Sequence, residues 1–267
     1  MRLRRASDDG AVTELLSIPY SPWSEKARWA LDVRRVPYER VLYAPLIGEL
    51  GLRRRLGKWS GAVSVPVLFD DSGRGIADSL EIARWADRPE AKGQGPSLFP
   101  PELEADIARF VVLSEKALDA GRCLSLHRMV NDRDALREMV PSALRKVLGP
   151  VGPPIAAAGI HRTLRKYGAG RVPEETHRQT LVAALGELRA ALASPRASGD
   201  PKTLLGQFTF ADIAMTQALG FIEPPAFGLR IGKASRRSFT DPELRERFAD
   251  LVAWRNAVYD AFRPRDP

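Results

Sequence analysis

A single change in residue patterning divides this chain of 267 residues into two parts. Before residue 89, short apolar runs alternate with amphipathic segments, a pattern typical of a sheet flanked by helices. After residue 101, only helical patterns follow. The stretch between them, PEAKGQGPSLFPP, is rich in proline and glycine and is typical of a linker. We therefore predict a small α/β domain over residues 11–89, a linker over 90–101 and an all-helical domain over 102–267.

The first part of the chain predicts the order β-α-β, a variable segment, and then β-β-α. The strands are predicted at residues 13–18, 38–43, 65–69 and 75–77. One helix is predicted from Pro22 to about Arg35, because proline is favoured in the first turn of a helix. A second helix is predicted from an N-cap at Ser79 through Asp87.

The first predicted helix has an apolar and a charged side. Its apolar side chains share one face and are predicted to be buried: Trp23, Ala27, Ala30 and Leu31. Its charged side chains are predicted to point outward: Glu25, Lys26, Arg28 and Asp32.

The second part of the chain predicts helices at about residues 102–120, 132–148, 174–193, 209–222 and 242–262. The fourth of these opens with Thr209-x-x-Asp212, which predicts a capping box with aspartate in place of the usual glutamate or glutamine. A long segment at about residues 126–172, rich in arginine, glycine and proline, predicts an insert within the helical domain. Segments of this length without strands are usually functional.

The composition limits the cell compartment in which the protein is expected and the classes of partner that it is expected to bind. One cysteine excludes a disulfide framework, and no cysteine or histidine spacing suggests a metal, so we expect a reducing, cytoplasmic compartment. The N-terminus has no apolar core of a signal peptide, and Val147–Ile160 is too short and proline-broken to span a bilayer, so we expect no membrane partner. The net charge of +8 comes from dispersed arginines without interleaved aromatic residues, so we expect no nucleic acid partner.

The sequence SPWS at residues 21–24 lies where the first strand turns into the first helix. Ser21 has two readings. It is either the N-cap of the helix or a hydroxyl placed to act on a bound group, and the reciprocal capping box is absent because Ser24 stands where glutamate or glutamine would complete it.

Four motifs together resemble the cytosolic glutathione transferase family. They are SPWSEKARWAL after the first strand, Val65-Pro66 in SVPVL, Asp78-Ser79 in ADSLEIARWAD, and GQFTFADIAM in the helical part. The resemblance covers both predicted domains. It implies a thioredoxin-like N-terminal domain with a cis peptide before Pro66, followed by a helical-bundle domain.

The resemblance also implies a role for each motif. Glutathione would be the co-substrate, with no metal. Ser79 would bind its γ-glutamyl carboxylate and Asp78 its ammonium, while Val65, turned by Pro66, would present backbone groups to its cysteinyl part. A hydroxyl that donates a hydrogen bond to sulfur favours the thiolate. Ser21 is therefore the catalytic candidate, with Ser24 and Tyr20 as alternates.

The sequence departs from the family at one part of this site. Serine-type relatives often carry a basic residue two or three positions before the Val-Pro, where it contacts the glycyl carboxylate of glutathione. Here those positions are Val63 and Ser64, and Lys58 is the nearest basic candidate.

The function that the resemblance implies is conjugation, or another reaction, of the glutathione thiol with a small hydrophobic electrophile. The alternative is a non-catalytic binding or interaction protein with the same fold, which the missing basic residue and the long insert favour. The family also implies a homodimer. The electrophile itself is not fixed by any motif.

Overall fold

The computed structural model describes residues 12–45, 48–140, 147–167, 172–194, 199–200 and 202–265. The chain divides into two compact units, Met1–Pro96 and Ser97–Pro267. The division falls inside the stretch 90–101 that the sequence marks as a linker.

The first unit is a four-stranded sheet with three helices. The strands are β1 (Glu14–Ser17), β2 (Glu39–Leu42), β3 (Val67–Phe69) and β4 (Gly75–Ala77), in the order β2-β1-β3-β4. Strand β1 is parallel to β2 and antiparallel to β3, and β3 is antiparallel to β4. The helices are α1 (Pro22–Val33), α2 (Glu49–Leu56) and α3 (Ser79–Ala86). The predicted fold class and the predicted order of elements are confirmed.

The sheet has helices on both faces. On one face, Leu15 and Leu68 of the sheet pack in a cluster with Leu31 of α1 and Ile82 and Trp85 of α3. On the other face, a second cluster joins the sheet to α2; its buried members are Leu16, Leu52, Val63, Val67 and Phe69. Burial of these side chains is the main stabilising contribution to this unit.

The pairing register brings the end of β1, the start of β3 and the end of β4 to one edge of the sheet. Leu16 of β1 lies opposite Val67 of β3, which lies opposite Ala77 of β4. From this row β1 runs outward to Ser21, β3 arrives from Val65, and β4 runs outward to Asp78. The helices α1 and α3 both begin at this edge and pack against each other.

The predicted outward face of α1 is wrong. Glu25, Lys26 and Arg28 are buried, and Asp32 is half-buried. The predicted buried positions hold for Ala27, Ala30 and Leu31, so α1 is enclosed on more than one side. A charged side chain can be buried when it is paired and hydrogen-bonded, which is the case for the Glu25–Arg28 ion pair, with an Nη2–Oε2 distance of 2.8 Å.

The beginning of the linker is part of the first unit. The backbone N–H groups of Gln94 and Gly95 donate to the carbonyl of Arg34, and the Arg34 guanidinium forms an ion pair with Asp87. A Cβ atom at Gly95 would collide with the Val33 carbonyl, so this close approach requires glycine. The first residues of the predicted linker therefore belong to the first unit.

Among its described residues, the second unit has helices joined by loops and no strand. Its helices are α4 (Glu104–Val130), α5 (Arg133–Met139), α6 (Gly152–Lys166), α7 (Glu174–Ala193), α8 (Phe210–Ala218), α9 (Lys233–Phe239), α10 (Pro242–Arg247) and α11 (Ala249–Phe262). Helix α7 has the predicted bounds. Helix α4 ends ten residues later than predicted, a helix at α9 was not predicted, and the predicted helix over 242–262 is interrupted at Phe248. Of the predicted helix over 132–148, residues 141–146 lie outside the described residues.

The predicted capping box of α8 is confirmed. The Asp212 carboxylate accepts hydrogen bonds from the backbone N–H of Thr209 at 2.8 Å and of Leu204 at 2.7 Å, and it also bonds the Thr209 hydroxyl. Asp212 therefore fixes both the start of α8 and the loop before it. Burial raises the pKa of Asp212 to about 6, although its hydrogen bonds act in the opposite direction.

Asp212 predicts a pH dependence of stability. Its pKa in the folded protein lies above the ordinary value of 3.8, so between about pH 4 and pH 6 the folded chain holds a proton that the unfolded chain has released. The free energy of unfolding should therefore fall as the pH rises through this range, by up to about 3 kcal/mol from this group.

The measurement is denaturant unfolding of the wild type and of Asp212→Asn at pH 4, 5, 6 and 7. The difference in the free energy of unfolding between the wild type and Asp212→Asn should change across this pH range, because the variant has no carboxyl to titrate at position 212. The control variant Glu187→Gln, at an exposed position, should follow the wild type. Parallel pH curves for the wild type and Asp212→Asn would contradict the prediction.

Candidate active site

Ser21 lies at the N-terminus of α1 and is half-buried. Its backbone is extended, and its Oγ accepts a hydrogen bond from the backbone N–H of Ser24 at 3.4 Å, which is long for such a bond. Ser21 is therefore the N-cap of α1, but capping uses only an oxygen lone pair. Among the described residues, nothing accepts a hydrogen bond from the Ser21 O–H. The cap and a donor role toward a bound group are compatible.

The two alternates for the catalytic hydroxyl lie in different environments. Ser24 is fully buried, and its Oγ accepts a hydrogen bond from the backbone N–H of Ile18 at 3.1 Å. It therefore ties the turn after β1 to α1 and does not face a ligand. Tyr20 is half-buried, and burial raises its pKa to about 12, so its hydroxyl stays protonated at neutral pH.

Arg28 holds the turn that carries Ser21. Its guanidinium donates to the carbonyl oxygens of Ile18 and Pro19, each at 3.2 Å, and its Nε donates to Glu25 at 2.9 Å. The turn between β1 and α1 is thus fixed by a buried ion pair one turn along the helix. Sequence reasoning missed this role. The only local signal was a pair of opposite charges three residues apart, which is equally typical of an exposed helix face.

The peptide between Val65 and Pro66 is cis, as the resemblance implies. Pro66 is buried and Val65 is half-buried at the start of the approach to β3. Within the described part of the chain, neither the N–H nor the C=O of the Val65 backbone has a hydrogen-bond partner. These two groups can therefore pair with an extended peptide in the manner of an added strand.

Asp78 and Ser79 lie at the start of α3, and the predicted N-cap at Ser79 is wrong. The N-cap is Asp78, not Ser79: the Asp78 carboxylate accepts a hydrogen bond from the backbone N–H of Leu80 at 2.8 Å. Asp78 has a φ of 81° and a ψ of 139°, a conformation that non-glycine residues rarely adopt and that costs about 1–3 kcal/mol. Such strain is concentrated at functional sites.

The Ser79 hydroxyl has no hydrogen-bond partner among the described residues, although its oxygen is buried. Buried polar atoms are nearly always hydrogen-bonded, so an unpaired hydroxyl in the first turn of a helix is a group that a ligand can satisfy after rotation about χ1. The backbone N–H groups of this turn point toward the same ligand.

Lys58 lies in the loop that follows α2 and is exposed. Arg53 organises this loop, because its guanidinium donates to the carbonyls of Lys58 and Gly61 and also pairs with Glu49. The Lys58 ammonium forms no ion pair with any residue that the structure describes. Its side chain is therefore available to an anion, but nothing fixes its position.

The edge of the sheet that carries these groups favours an anionic ligand. The N-termini of α1 and α3 both lie there, and each has the positive end of a helix dipole and unpaired backbone N–H groups. Asp78 adds one carboxylate for a cationic part of the same ligand. The arrangement suits an extended molecule that has both a carboxylate and an ammonium.

Neither a reactive thiol nor a metal-binding cluster is found among the residues that the structure describes. Cys123 is buried in α4, and its burial raises the pKa of the thiol, so this thiol is not a reactive one. In the described ranges no cluster of histidine, cysteine, aspartate and glutamate is placed to hold a metal ion. No helix in those ranges is long and apolar enough to cross a membrane.

Comparison with known proteins agrees with this geometry. Residues 20–88 match the family model described as glutathione S-transferase, N-terminal domain. A search of curated protein sequences finds no match.

The solved structures include several with a similar fold. One is a glutathione S-transferase of Ceriporiopsis subvermispora in complex with glutathione (TM-score 0.62, 19% identity, 94% of this chain and 97% of that chain covered). A second is a glutathione transferase of Phanerochaete chrysosporium (TM-score 0.62, 19% identity, 96% and 99% covered). A third is the beta-etherase LigF of Sphingobium (TM-score 0.59, 15% identity, 93% and 95% covered).

The N-terminal part of the chain thus matches the N-terminal domain of glutathione S-transferases, and the residues that the structure describes have the glutathione S-transferase fold. At these levels of identity, the structural matches establish the fold and not the activity.

Arg28 generates a prediction about the turn that carries Ser21. Arg28→Met should lower the free energy of unfolding by about 3–5 kcal/mol, because it leaves the buried Glu25 carboxylate without its cation. The double variant Glu25→Gln/Arg28→Met should regain part of this loss. Denaturant unfolding measures both.

The matched control is Arg40→Met, which removes a partly exposed ion pair with Asp32 at 2.9 Å. It should cost at most about 1 kcal/mol. Additive effects of the Glu25 and Arg28 substitutions would contradict the prediction that the two side chains act as a pair.

Proposed function

We propose that this protein is a glutathione transferase, in which the Ser21 hydroxyl favours the thiolate of bound glutathione. The observation that carries the proposal is the common edge of the sheet: Ser21, the free backbone groups of Val65 and the Asp78-Ser79 turn are brought together by one pairing row. Glutathione has the matching groups, since it is an extended tripeptide with two carboxylates, one ammonium and one thiol.

The hydroxyl of Ser21 supplies the chemistry. A free thiol has a pKa near 8.5, so only a small part is thiolate at neutral pH. The Ser21 O–H donates a hydrogen bond to the sulfur, and the N-terminus of α1 adds a favourable potential, so both stabilise the anion. The thiol proton leaves to solvent, and the sulfur then forms a bond to the electrophilic atom while the leaving group takes the electron pair.

The other groups hold the tripeptide. The γ-glutamyl carboxylate binds the Ser79 hydroxyl and the N–H groups of the first turn of α3, and Asp78 faces the ammonium. The Val65 backbone pairs with the cysteinyl part, beside Pro66. Lys58 is the candidate partner of the glycyl carboxylate. Binding and thiol activation are thus assigned to different residues.

Ser21→Ala tests thiol activation. It should raise the pKa of the bound thiol by about one to two units, since a charge-assisted hydrogen bond is worth about 1.5–3 kcal/mol. Turnover of a generic aryl halide at neutral pH should fall in step, with little change in glutathione affinity. The pKa is read from the ultraviolet absorbance of the thiolate against pH.

Ser24→Ala is the control for this variant, because Ser24 is buried and supports the same turn. It should lower the melting temperature without moving the thiol pKa. If Ser21→Ala changes only the melting temperature, Ser21 is a helix cap and the catalytic assignment is wrong.

Ser79→Ala and Asp78→Asn test glutathione binding. Each should weaken affinity by about tenfold or more, because each removes a hydrogen-bonded or charged contact to the ligand. The thiol pKa of the bound fraction should not change. Asparagine at position 78 keeps an acceptor for the Leu80 N–H, so a loss of affinity in Asp78→Asn reports charge and not capping. Isothermal titration with glutathione measures both, and unchanged affinities would contradict the assigned contacts.

The second candidate is a binding protein of the same fold that does not catalyse conjugation. It is favoured by the lack of a basic side chain at Val63 and Ser64 and by the unfixed position of Lys58. Retention on immobilised glutathione without turnover of any aryl halide or epoxide would support it. Retention with turnover supports the transferase.

A hydrophobic electrophile, a cytoplasmic location and a homodimer complete the proposal. The dimer has a direct test, since sedimentation equilibrium at micromolar concentration should give twice the mass of the 29.5 kDa chain. A monomer under these conditions would contradict the expected assembly.

A further inference from the structure

A small cavity lies within the second unit, between the segment that follows α8 and the last helix, α11. Its volume is about 270 Å³, and it is lined by residues 223–227, by Arg236 of α9 and by the side of α11 that carries Arg255 and Tyr259. Pockets for drug-sized ligands have volumes of about 300–1,000 Å³, so this cavity suits a smaller molecule. None of the residues assigned to glutathione lines it.

Arg255 is a buried cation in the wall of this cavity, with a side chain that is 1% exposed. Its Nε donates to the side-chain oxygen of Asn256 at 3.0 Å, and its Nη1 donates to the backbone carbonyl of Glu223. Burial lowers the pKa of Arg255, and the nearby charge of Arg236 acts in the same direction. The Glu223 carboxylate lies 4.0 Å from Nη2 of Arg255 and also contacts the Arg245 guanidinium. The carboxylate beside Arg255 is thus shared between two arginines.

Arg236 is the second cation of the cavity and is half-buried. Its Nη1 and Nη2 donate to the carbonyls of Pro224 and Pro225 at 2.9 Å and 2.8 Å. A carbonyl oxygen accepts a hydrogen bond without neutralising the charge, and no carboxylate among the described residues forms an ion pair with Arg236. A guanidinium has five N–H donors, so donors remain after these two bonds. The carbonyls therefore fix the orientation of a guanidinium that still has donors for a ligand.

The guanidinium groups around the cavity outnumber the carboxylates. The carboxylates that line it are Glu223 and Asp260, and each contacts a further arginine outside the cavity, Arg245 for Glu223 and Arg265, at 3.8 Å, for Asp260. Together with Arg236 and Arg255, four guanidinium groups share two carboxylates. An anion in the cavity would add a partner for these cations beside a buried guanidinium, where charge-assisted hydrogen bonds are strong.

The other walls of the cavity are apolar and aromatic. Phe227 and Tyr259 meet edge to face, with ring centroids 5.4 Å apart and an interplanar angle of 87°. A wider cavity of about 500 Å³ adjoins this one, since it shares Ala226, Phe227 and Asp260 and adds apolar surface at Leu229. A flat ring can pack against Phe227, and the wider cavity leaves room for substituents on that ring.

We propose that this cavity binds a small aromatic carboxylate. The carboxylate lies between Arg236 and Arg255, whose planar guanidinium groups match its two oxygens, and the ring lies against Phe227 and Tyr259. The small volume, the excess of guanidinium groups and the aromatic wall together select this class of ligand. The site shares no residue with the proposed glutathione site, so each of the two can be tested without the other.

The first experiment is isothermal titration of the full-length protein with 2-naphthoate. We expect one molecule to bind per chain with a Kd below about 1 mM. The uncharged 2-naphthamide has the same ring system and should bind at least about tenfold more weakly, because it cannot form charge-assisted hydrogen bonds with the guanidinium groups. No binding of 2-naphthoate at millimolar concentration, or equal affinity for the two compounds, would overturn the proposal.

A bulky side chain at the cavity wall tests where the probe binds. Ala226 is exposed and lines both cavities, so Ala226→Trp should block 2-naphthoate while it leaves the melting temperature nearly unchanged. The matched control is Ala253→Trp, at an exposed position of α11 that lines neither cavity, and it should bind as the wild type does. Unchanged binding to Ala226→Trp would show that the probe binds elsewhere and that the proposal is wrong.

Arg236→Gln separates contact with the carboxylate from support of the loop at Pro224 and Pro225. If Arg236 contacts the carboxylate, the variant loses much of the preference for 2-naphthoate over 2-naphthamide, whereas a purely structural change weakens both compounds equally. Arg54→Gln, which removes an exposed cation of α2, is the control for net charge and should keep the preference. Circular dichroism melting checks that both variants are folded. A full preference in Arg236→Gln would contradict the assigned contact.

Glutathione distinguishes this site from the proposed transferase site. Saturating glutathione should leave the Kd of 2-naphthoate unchanged, and so should Ser79→Ala, because neither touches the residues of the cavity. Displacement of 2-naphthoate by glutathione, or loss of its binding in Ser79→Ala, would place the probe at the edge of the sheet and overturn the inference. Binding of 2-naphthoate to a protein that does not bind glutathione would support the cavity and contradict only the proposed transferase function.

Discussion

The pairing of β3 between β1 and β4 is the constraint on which the N-terminal site depends. Because β1 and β4 both run antiparallel to β3, the end of β1, the start of β3 and the end of β4 meet at one edge. Three segments distant in sequence, at Ser21, Val65 and Asp78, are therefore neighbours at that edge. A slip of one residue in this register would also turn the core side chains Leu68 and Val67 to the wrong faces, so the buried clusters and the site are fixed by the same pairing.

Polar contacts hold this edge of the sheet in place, and the buried guanidinium and carboxylate among them offset each other's desolvation. The guanidinium of Arg28 satisfies the carbonyls of Ile18 and Pro19, and Glu25 neutralises it within the same helix. At the other motif, the Leu80 N–H donates a capping hydrogen bond to the Asp78 carboxylate, which compensates part of the unfavourable backbone conformation of Asp78. Both motifs thus combine a helix N-terminus with a turn that other contacts hold in place, and this preorganisation is what the proposed glutathione site would need.

The helical unit depends on polar contacts at the start of α8. Its central feature is the start of α8, where Asp212 ties the preceding loop to the helix, and Ser114 of α4 donates a hydrogen bond to the Ala214 carbonyl of α8 at 2.7 Å.

The sequence by itself determined the order of strands and helices in the first unit, the capping box at Thr209–Asp212 and the three motifs at the edge of the sheet. These follow from local patterning, since periodicity, capping residues and proline act within a few residues of the chain. The tertiary structure decided what depends on distant neighbours: that Glu25 and Arg28 are buried, and that Asp78 and not Ser79 caps α3. Charged residues on a helix give no local sign of what packs against them, so their burial could not be predicted from the sequence.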